Sequence, residues 1–135
     1  MRSPPWNDTE NGALVALYFV MLDNAQAGKP YNKAAMIRCA QENPEHASSG
    51  SFAGNLSNRS RGSIEAKLMN ASAAHRDLVA SSVDSPELHT MDGHGYRCLS
   101  NYQADLKTAM QAEIDAREAR FEDAEVRRAE QRCGA

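Results

Sequence analysis

The stretch from Asp8 to Ala27, DTENGALVALYFVMLDNAQA, contains the longest apolar run of the chain. Its start has the features of a helix N-terminus, with Asn7 as a candidate cap and acidic residues in the first turn. Gly28-Lys29-Pro30 ends it. Its apolar side chains recur at helical spacing, and they are Leu14, Leu17, Tyr18, Met21 and Leu22, widened by Val15, Phe19 and Val20. We therefore predict a helix over residues 8–27 that is the central element of the core.

A second and a third helix follow from the same signals. The second is expected from Asn32, its cap, to about Gln41, and Pro44 stops it. Its apolar face consists of Ala35, Met36, Cys39 and Ala40. The third is expected from about Ser63 to Val79, with Gly62 at the cap and Glu65 three residues later. Its apolar positions are Ile64, Leu68, Ala71 and Leu78.

A fourth, long helix is predicted from Asn101 to about Gln131. Ser100 and Gln103 have the spacing of a capping box at its start. Its first half should pack on the core through Leu106, Ala109, Met110 and Ile114. Its second half is almost entirely Ala, Glu, Asp and Arg, with Glu113 and Arg117 at ion-pair spacing. This half is expected to be a solvated extension or one side of a helical interface.

Two long segments lack helical periodicity and are predicted to be loops, namely residues 43–58 and 81–99. In the second, Gly93-His94-Gly95 favours a tight turn that lets Tyr96 pack down. The predicted fold is all-α, a small four-helix domain with two long loops and an extended, highly charged C-terminal helix. Residues 1–114 form the helical domain, and residues 115–135 form the charged helical extension.

Composition limits the function classes. The chain has 135 residues, enough for one domain with a core, and a net charge of −3, so a nucleic-acid binder of this kind needs a local basic patch. Three distant cysteines do not make a disulfide framework. The N-terminus has no signal-peptide pattern, and no apolar run is long enough to span a bilayer. We expect a cytoplasmic protein without membrane contact.

The candidate binding residues are cationic. Arg59 and Arg61 immediately precede or open the third helix, and Lys67 lies one turn inside it. Backbone N–H groups at a helix start favour anions, so these side chains could contact phosphate or an acidic surface. The alternative is structural, with Arg61 paired to Glu65. Arg38 and Arg97 could join the same contact.

No catalytic constellation is found, because nothing in the sequence brings Ser60, Ser63 and His75 together. His89, His94 and Cys98 match no strong zinc spacing. We therefore predict no catalytic residue, no metal and no cofactor. Asn70 and Ser72 are polar residues inside the third helix, and Asn70 is expected to hydrogen-bond across to another helix or to a loop backbone.

Several segments together resemble a known family. The opening group is Trp6, Glu10, Tyr18, Met21, Gly28 and Lys33. The middle group is Arg59-Ser60-Arg61-Gly62-Ser63-Ile64-Glu65 with Lys67, Asn70 and Ser72-Ala73. The closing group is Gly95-Tyr96 and Asn101-Tyr102-Gln103 with Leu106. Over residues 6–110 the chain resembles the helical N-terminal accessory region of some HNH-type, restriction-like endonucleases of bacteria and mobile elements. It departs from the pattern in three ways. No HNH nuclease domain is expected, the 43–58 loop is long, and the family's Gly-Tyr-Lys-Pro turn is here Gly95-Tyr96-Arg97-Cys98.

This resemblance implies an accessory module of DNA metabolism or defence and not a catalyst. The predicted function is a non-enzymatic binding module in DNA restriction, defence or a mobile element, contacting nucleic-acid phosphates or an acidic partner surface. The partner is then DNA or a nucleoprotein or nuclease complex, and a homodimer could form through the C-terminal helix. The alternative is a phage- or mobile-element-encoded inhibitor of a host defence complex, of the anti-CRISPR type, acting by protein–protein contact.

Overall fold

The structure is a computed structural model that describes residues 4–42, 45 and 52–133. Within these residues it contains four α-helices and no strand, which confirms the all-α prediction. The helices are α1 (Asp8–Gln26), α2 (Lys33–Ala40), α3 (Arg61–Val79) and α4 (Ala104–Cys133). None of them is both long and apolar enough to cross a lipid bilayer.

Helix α1 matches its prediction and is closed at both ends by local contacts. The Asn7 side chain accepts a hydrogen bond from the Glu10 N–H (2.8 Å), and the Glu10 carboxylate accepts one from the Asn7 N–H (3.1 Å). This reciprocal pair satisfies two backbone donors that the first turn would otherwise leave unpaired. At the other end Gly28 has a φ of 68°, a conformation that glycine adopts without strain.

Helix α1 is the centre of the core and packs against α3 and α4. All of its predicted apolar residues are buried except Val20, which is 39% exposed. The side chains that meet it from the rest of the fold are Ile37, Leu56, Ile64, Leu68, Met91, Leu106 and Met110. Because α1 is contacted from several sides, apolar residues cover most of its circumference.

Helix α2 begins as predicted, with the Asn32 side chain accepting a hydrogen bond from the Ala35 N–H at 3.0 Å. Its predicted apolar face needs correction. Ile37 and Ala40, three positions apart on one face, are completely buried, whereas the other predicted face residues are only half-buried. In this helix of eight residues, only these two side chains are buried in the core.

Helix α3 begins two residues before its predicted start. Ser60, and not Gly62, is the cap, and its hydroxyl accepts a hydrogen bond from the Ser63 N–H at 3.1 Å. The predicted capping box is therefore wrong, because glycine has no side chain to accept this bond. Glu65 pairs with Arg61 instead of reaching the cap.

Helix α4 begins at Ala104, three residues later than predicted. The preceding segment is held in extended form along α3: the Asn70 amide donates to the Leu99 carbonyl (2.8 Å) and to Asn101 Oδ1 (3.0 Å). The Tyr102 hydroxyl donates to Asp77 at 2.6 Å. These contacts confirm the prediction that Asn70 hydrogen-bonds to a loop backbone. They also explain why Ser100 does not cap the helix.

The two predicted loops contain ordered structure where they are described. Leu56 is buried and its N–H donates to the Ala40 carbonyl at 2.8 Å. The second segment forms two short 3-10 helices, Pro86–His89 and Met91–His94, and Gly95 then turns with a φ of 78°. Tyr96 packs against the core after this turn, as predicted. Residues 43, 44 and 46–51 of the first predicted loop lie outside the described residues.

The core-facing half of α4 is confirmed, with Leu106 and Met110 buried and Ala109 and Ile114 packed beside them. The charge pairs differ from the prediction. Arg117 binds Asp23 of α1 at 2.6 Å, and Glu113 binds Arg120 at 2.8 Å. After Arg117 the described side chains are exposed, apart from the half-buried Ala124. Residues 134 and 135 of the predicted extension lie outside the described residues.

Candidate binding surface

Arg59 does not face outward, contrary to its predicted role. It is 6% exposed, and its guanidinium makes two bonds to the Glu10 carboxylate, Nε to Oε2 at 2.6 Å and Nη2 to Oε1 at 2.8 Å. It also donates to the Pro4 carbonyl (2.7 Å) and the Pro5 carbonyl (3.0 Å). All three of its nitrogens are therefore used inside the chain, and none is left for a phosphate.

The guanidinium of Arg59 also lies over the Trp6 ring, 4.9 Å from its centre. Its hydrogen bonds lower the pKa of Glu10 against the opposing effect of burial, and Glu10 in turn raises the pKa of Arg59. We call this group the Arg59 clamp: Arg59, Glu10, Trp6 and the carbonyls of Pro4 and Pro5. It fastens the N-terminal segment to the start of α3, so Arg59 has a structural role.

Lys67 also belongs to this side of the molecule. Its ammonium lies 5.5 Å from the centre of the Trp6 ring. Desolvation lowers the pKa of Lys67, and the positive charge of Arg59 lowers it further. The Lys67 ammonium is thus half-buried above the Trp6 ring, a contact worth about 0.5–1 kcal/mol where it is exposed to water.

Arg61 remains available on the surface. Its side chain is 59% exposed and pairs with Glu65 one turn later, Nε to Oε1 at 3.1 Å. The structural alternative for Arg61 is thus present in the fold. Pairs of this kind on an exposed helix contribute only about 0.3–0.5 kcal/mol, so a phosphate could take the place of Glu65 at little cost.

Tyr96 lies near Lys33 and near Glu65, the surface partner of Arg61. The Lys33 ammonium lies 5.5 Å from the centre of the Tyr96 ring. Burial raises the pKa of Tyr96 to about 12, and the nearby Tyr31 and Glu65 raise it as well. Arg97 directly follows Tyr96 and is exposed. We call Tyr31, Lys33, Arg61, Tyr96 and Arg97 the basic–aromatic surface.

The basic–aromatic surface contains residues to which the sequence assigns no contact role. Tyr31 and Lys33 flank the cap of α2, far in sequence from α3, and only the fold brings them to Tyr96. The signal that could have found them is a tyrosine beside a cation at two separate positions, Tyr31-Asn32-Lys33 and Tyr96-Arg97.

Arg38 is exposed in the last turn of α2 but stands apart from this surface. It follows Lys33 by five positions, and in a helix of about 3.6 residues per turn this places it on a different face. Of the five predicted cations, the fold pairs Arg61 with Glu65 beside Tyr96, buries Arg59, turns Lys67 to Trp6 and leaves Arg97 and Arg38 exposed.

The histidine in α3 lies in the core and not beside a nucleophile. His75 Nδ1 is 2.8 Å from the Tyr18 hydroxyl, which also accepts the Met91 N–H at 3.3 Å. Burial lowers the pKa of His75 to about 4, so the ring is neutral near pH 7. Ser60 caps α3, and Ser72 bonds Cys98 at 3.2 Å.

A cleft of about 520 Å³ runs between α1 and α4. Its floor consists of small residues, including Gly12, Ala16 and Ala112, and Asp8, Asp105 and Glu113 lie along it. In the part of the chain that the structure describes, no group of three or more His, Cys, Asp or Glu side chains is placed to hold a metal ion. The His94 ring bonds the Gln26 side chain at 3.1 Å.

Comparison of the chain with protein-family models, with curated proteins and with solved structures gives no match. The geometry of its own residues is therefore what supports a function.

Proposed function

We propose that this protein is a non-enzymatic binding module whose basic–aromatic surface contacts the phosphate backbone of nucleic acid. The observation that carries the proposal is the Lys33 ammonium over the Tyr96 ring, with Tyr31 and the exposed Arg61–Glu65 pair near that ring. Arg97 follows Tyr96 in the chain and is exposed. Glu65 is a carboxylate tied to this group through its weak surface pair with Arg61.

The residue types suit this partner. Arginine and lysine neutralise phosphates, and aromatic rings beside them can stack on bases. The chain as a whole has a net charge of −3, so binding has to come from such a local patch and not from the general charge of the molecule.

The biological setting in this proposal rests on the resemblance to accessory regions of HNH-type, restriction-like endonucleases. The module would act in the cytoplasm around DNA restriction, defence or a mobile element, on DNA directly or on a nucleoprotein complex. The chemistry of cutting would belong to a partner.

The test is fluorescence anisotropy with generic duplex and single-stranded DNA in low salt, followed by a salt titration. The double variant R61Q/R97Q should bind more weakly. It should also lower the dependence of log affinity on log salt by about 2 for a duplex, since each phosphate contact contributes about 0.9. Arg127→Gln, in the α4 extension, removes a cation from another surface and should leave the binding unchanged.

Two results would contradict this function. One is wild-type protein that binds no nucleic acid at about 50 mM salt, where phosphate contacts are strong. The other is wild-type binding that the double variant leaves intact. Absence of nucleic-acid binding together with capture of a host nuclease or defence complex would instead favour the inhibitor described above.

A further inference from the structure

The end of α4 is a helix with nothing packed on it in the described chain. Arg117 contacts the domain through Asp23 and through the Phe19 ring, whose centre is 4.3 Å from the guanidinium. Beyond it the helix continues, and its side chains up to Arg132 are exposed apart from the half-buried Ala124. Phe121, 65% exposed, is a large apolar group that a monomer leaves in water.

The charges along this helix change sign at its middle. Residues 118–125 carry four carboxylates against one arginine, Arg120. Residues 126–132 carry three arginines against one carboxylate, Glu130. The exposed helix is thus acidic in its first half and basic in its second, and its two halves attract each other when one copy is turned around.

We propose that two copies of this chain associate by antiparallel packing of this part of α4, with the twofold axis beside Glu125. One face of the helix carries every residue that the contact needs, because positions three and four apart line up at about 3.6 residues per turn. We call this face the α4 seam, and its members are Glu118, Phe121, Glu122, Glu125, Arg128, Ala129 and Arg132.

The antiparallel register pairs the seam with itself. Glu118 meets Arg132 of the second copy, and Glu122 meets Arg128 of the second copy, each pair occurring twice by symmetry. Phe121 lies over Ala129 of the second copy, a large side chain against a small one. Only the two Glu125 carboxylates meet a like charge, and in each helix Glu125 already accepts a hydrogen bond from its own Arg128.

Other arrangements match less well. Parallel packing places Glu118 and Glu122 beside the same residues of the second copy, which puts like charges opposite each other. A uniformly basic or acidic peptide would match only half of the helix. A second copy turned around is the occupant whose charges match along both halves.

The length of the seam sets how strongly two copies can hold together. The seam from Glu118 to Arg132 lies past Arg117, where α4 leaves its contact with α1. At about 1.5 Å per residue the overlap is about 21 Å long. An overlap of this length held by exposed ion pairs is weak and sensitive to salt, so the dimer should form at high protein concentration and dissociate when salt is raised.

The test uses charge reversal on the intact chain, followed by analytical ultracentrifugation in about 50 mM salt at about 10 µM to 1 mM protein. The variant E118R/E122R makes all four charged seam positions other than Glu125 positive, and R128E/R132E makes them all negative. Each variant alone should be monomeric. An equal mixture of the two should form a heterodimer, because every charged pair except Glu125 with Glu125 is then opposite in charge.

The heterodimer is a readout that a misfolded variant cannot give. The control D123R/R127E exchanges charges on the opposite face of the helix and should dimerise like the wild type, whereas Phe121→Ala should weaken the dimer several-fold. A wild-type chain that stays monomeric over the whole range would overturn the proposal, and so would a mixture that does not associate. Nucleic-acid binding depends on the basic–aromatic surface, so either proposal can fail without the other.

Discussion

Arg59 and Arg61 are two positions apart and have opposite roles. Arg59 is enclosed by Glu10, the Trp6 ring and two backbone carbonyls, whereas Arg61 is exposed and paired only with Glu65. Burying an ion pair costs hydration free energy that can equal or exceed its mutual attraction, but removing the guanidinium alone leaves the Glu10 carboxylate buried without its partner.

Replacing Arg59 should therefore destabilise the fold far more than replacing its neighbour. We expect Arg59→Met to lower the free energy of unfolding by about 3–5 kcal/mol, the range for breaking a buried ion pair. Arg61→Met, an identical change on the surface, should change it by no more than about 0.5 kcal/mol. Urea unfolding of both variants measures the difference, and equal losses would contradict the Arg59 clamp.

The sequence cannot separate these two arginines. The partner of Arg59 is Glu10, 49 positions earlier, and only the packing of α1 against α3 brings them together. The partner of Arg61 is one turn away and is visible in the sequence. Local spacing therefore predicted the weak pair correctly and missed the strong one.

At the scale of single elements, all four helices could be predicted from apolar periodicity, because packing on one core requires it. Their starts were predictable where one residue directly before the helix offers a capping side chain, as at Asn7 and Asn32. They were wrong where a second set of contacts competes. Ser60 offers a hydroxyl that Gly62 lacks, and Asn70 holds the segment before α4 extended.

The glycines inside elements differ in a way that can be measured. Gly12 is in α1, and a methyl group added there would meet no atom within 4 Å. We expect Gly12→Ala to stabilise the fold by about 0.5–1 kcal/mol, since alanine loses less backbone freedom in a helix. At Gly93 the added methyl group would overlap the Glu87 carbonyl, so Gly93→Ala should destabilise it by about 1–3 kcal/mol.

Chemical denaturation of the two alanine variants and the wild type tests these two opposite changes in the free energy of unfolding. A loss of stability in Gly12→Ala would mean that the α1–α4 cleft is closed by a contact that the added methyl group disturbs. A neutral Gly93→Ala would mean that the two 3-10 helices are not packed against each other as described.

For the molecule as a whole, the buried imidazole of His75 makes stability depend on pH. Burial lowers its pKa from 6.5 to about 4, with smaller contributions from the charges of Arg117 and His89. The unfolded chain therefore binds a proton in a range where the folded chain does not. Stability is complete above about pH 6.5 and falls as the pH drops towards 4.

The expected loss by pH 4 is about 3 kcal/mol, since each unit of pKa is worth about 1.36 kcal/mol. Urea unfolding at pH 7, 6 and 5 should show stability falling with pH. The variant His75→Asn keeps a polar group near the Tyr18 hydroxyl, cannot take up the proton, and should be flat over this range. Glu10 does not interfere, because its lowered pKa acts only below its ordinary value of 4.5. Wild-type stability that is equal at pH 7 and pH 5 would show that the ring accepts its proton without cost.

The basic–aromatic surface shows what the whole fold adds to its parts. Arg61 and Arg97 could be singled out from the sequence as exposed cations near turns and helix starts. Tyr31 and Lys33 could not, because their role depends on α2 lying beside the turn after Gly95. Contacts between distant segments of this kind follow from the packing of the helices and not from any local pattern.

Trp6, the single tryptophan of the chain, is 9% exposed beneath two cations. All of the indole emission of the protein therefore comes from one place, where the N-terminal segment meets α1 and α3. Without any added dye, rapid-mixing fluorescence can follow the moment at which this corner opens during unfolding. Circular dichroism reports the helices separately, so the order of the two events can be resolved in one sample.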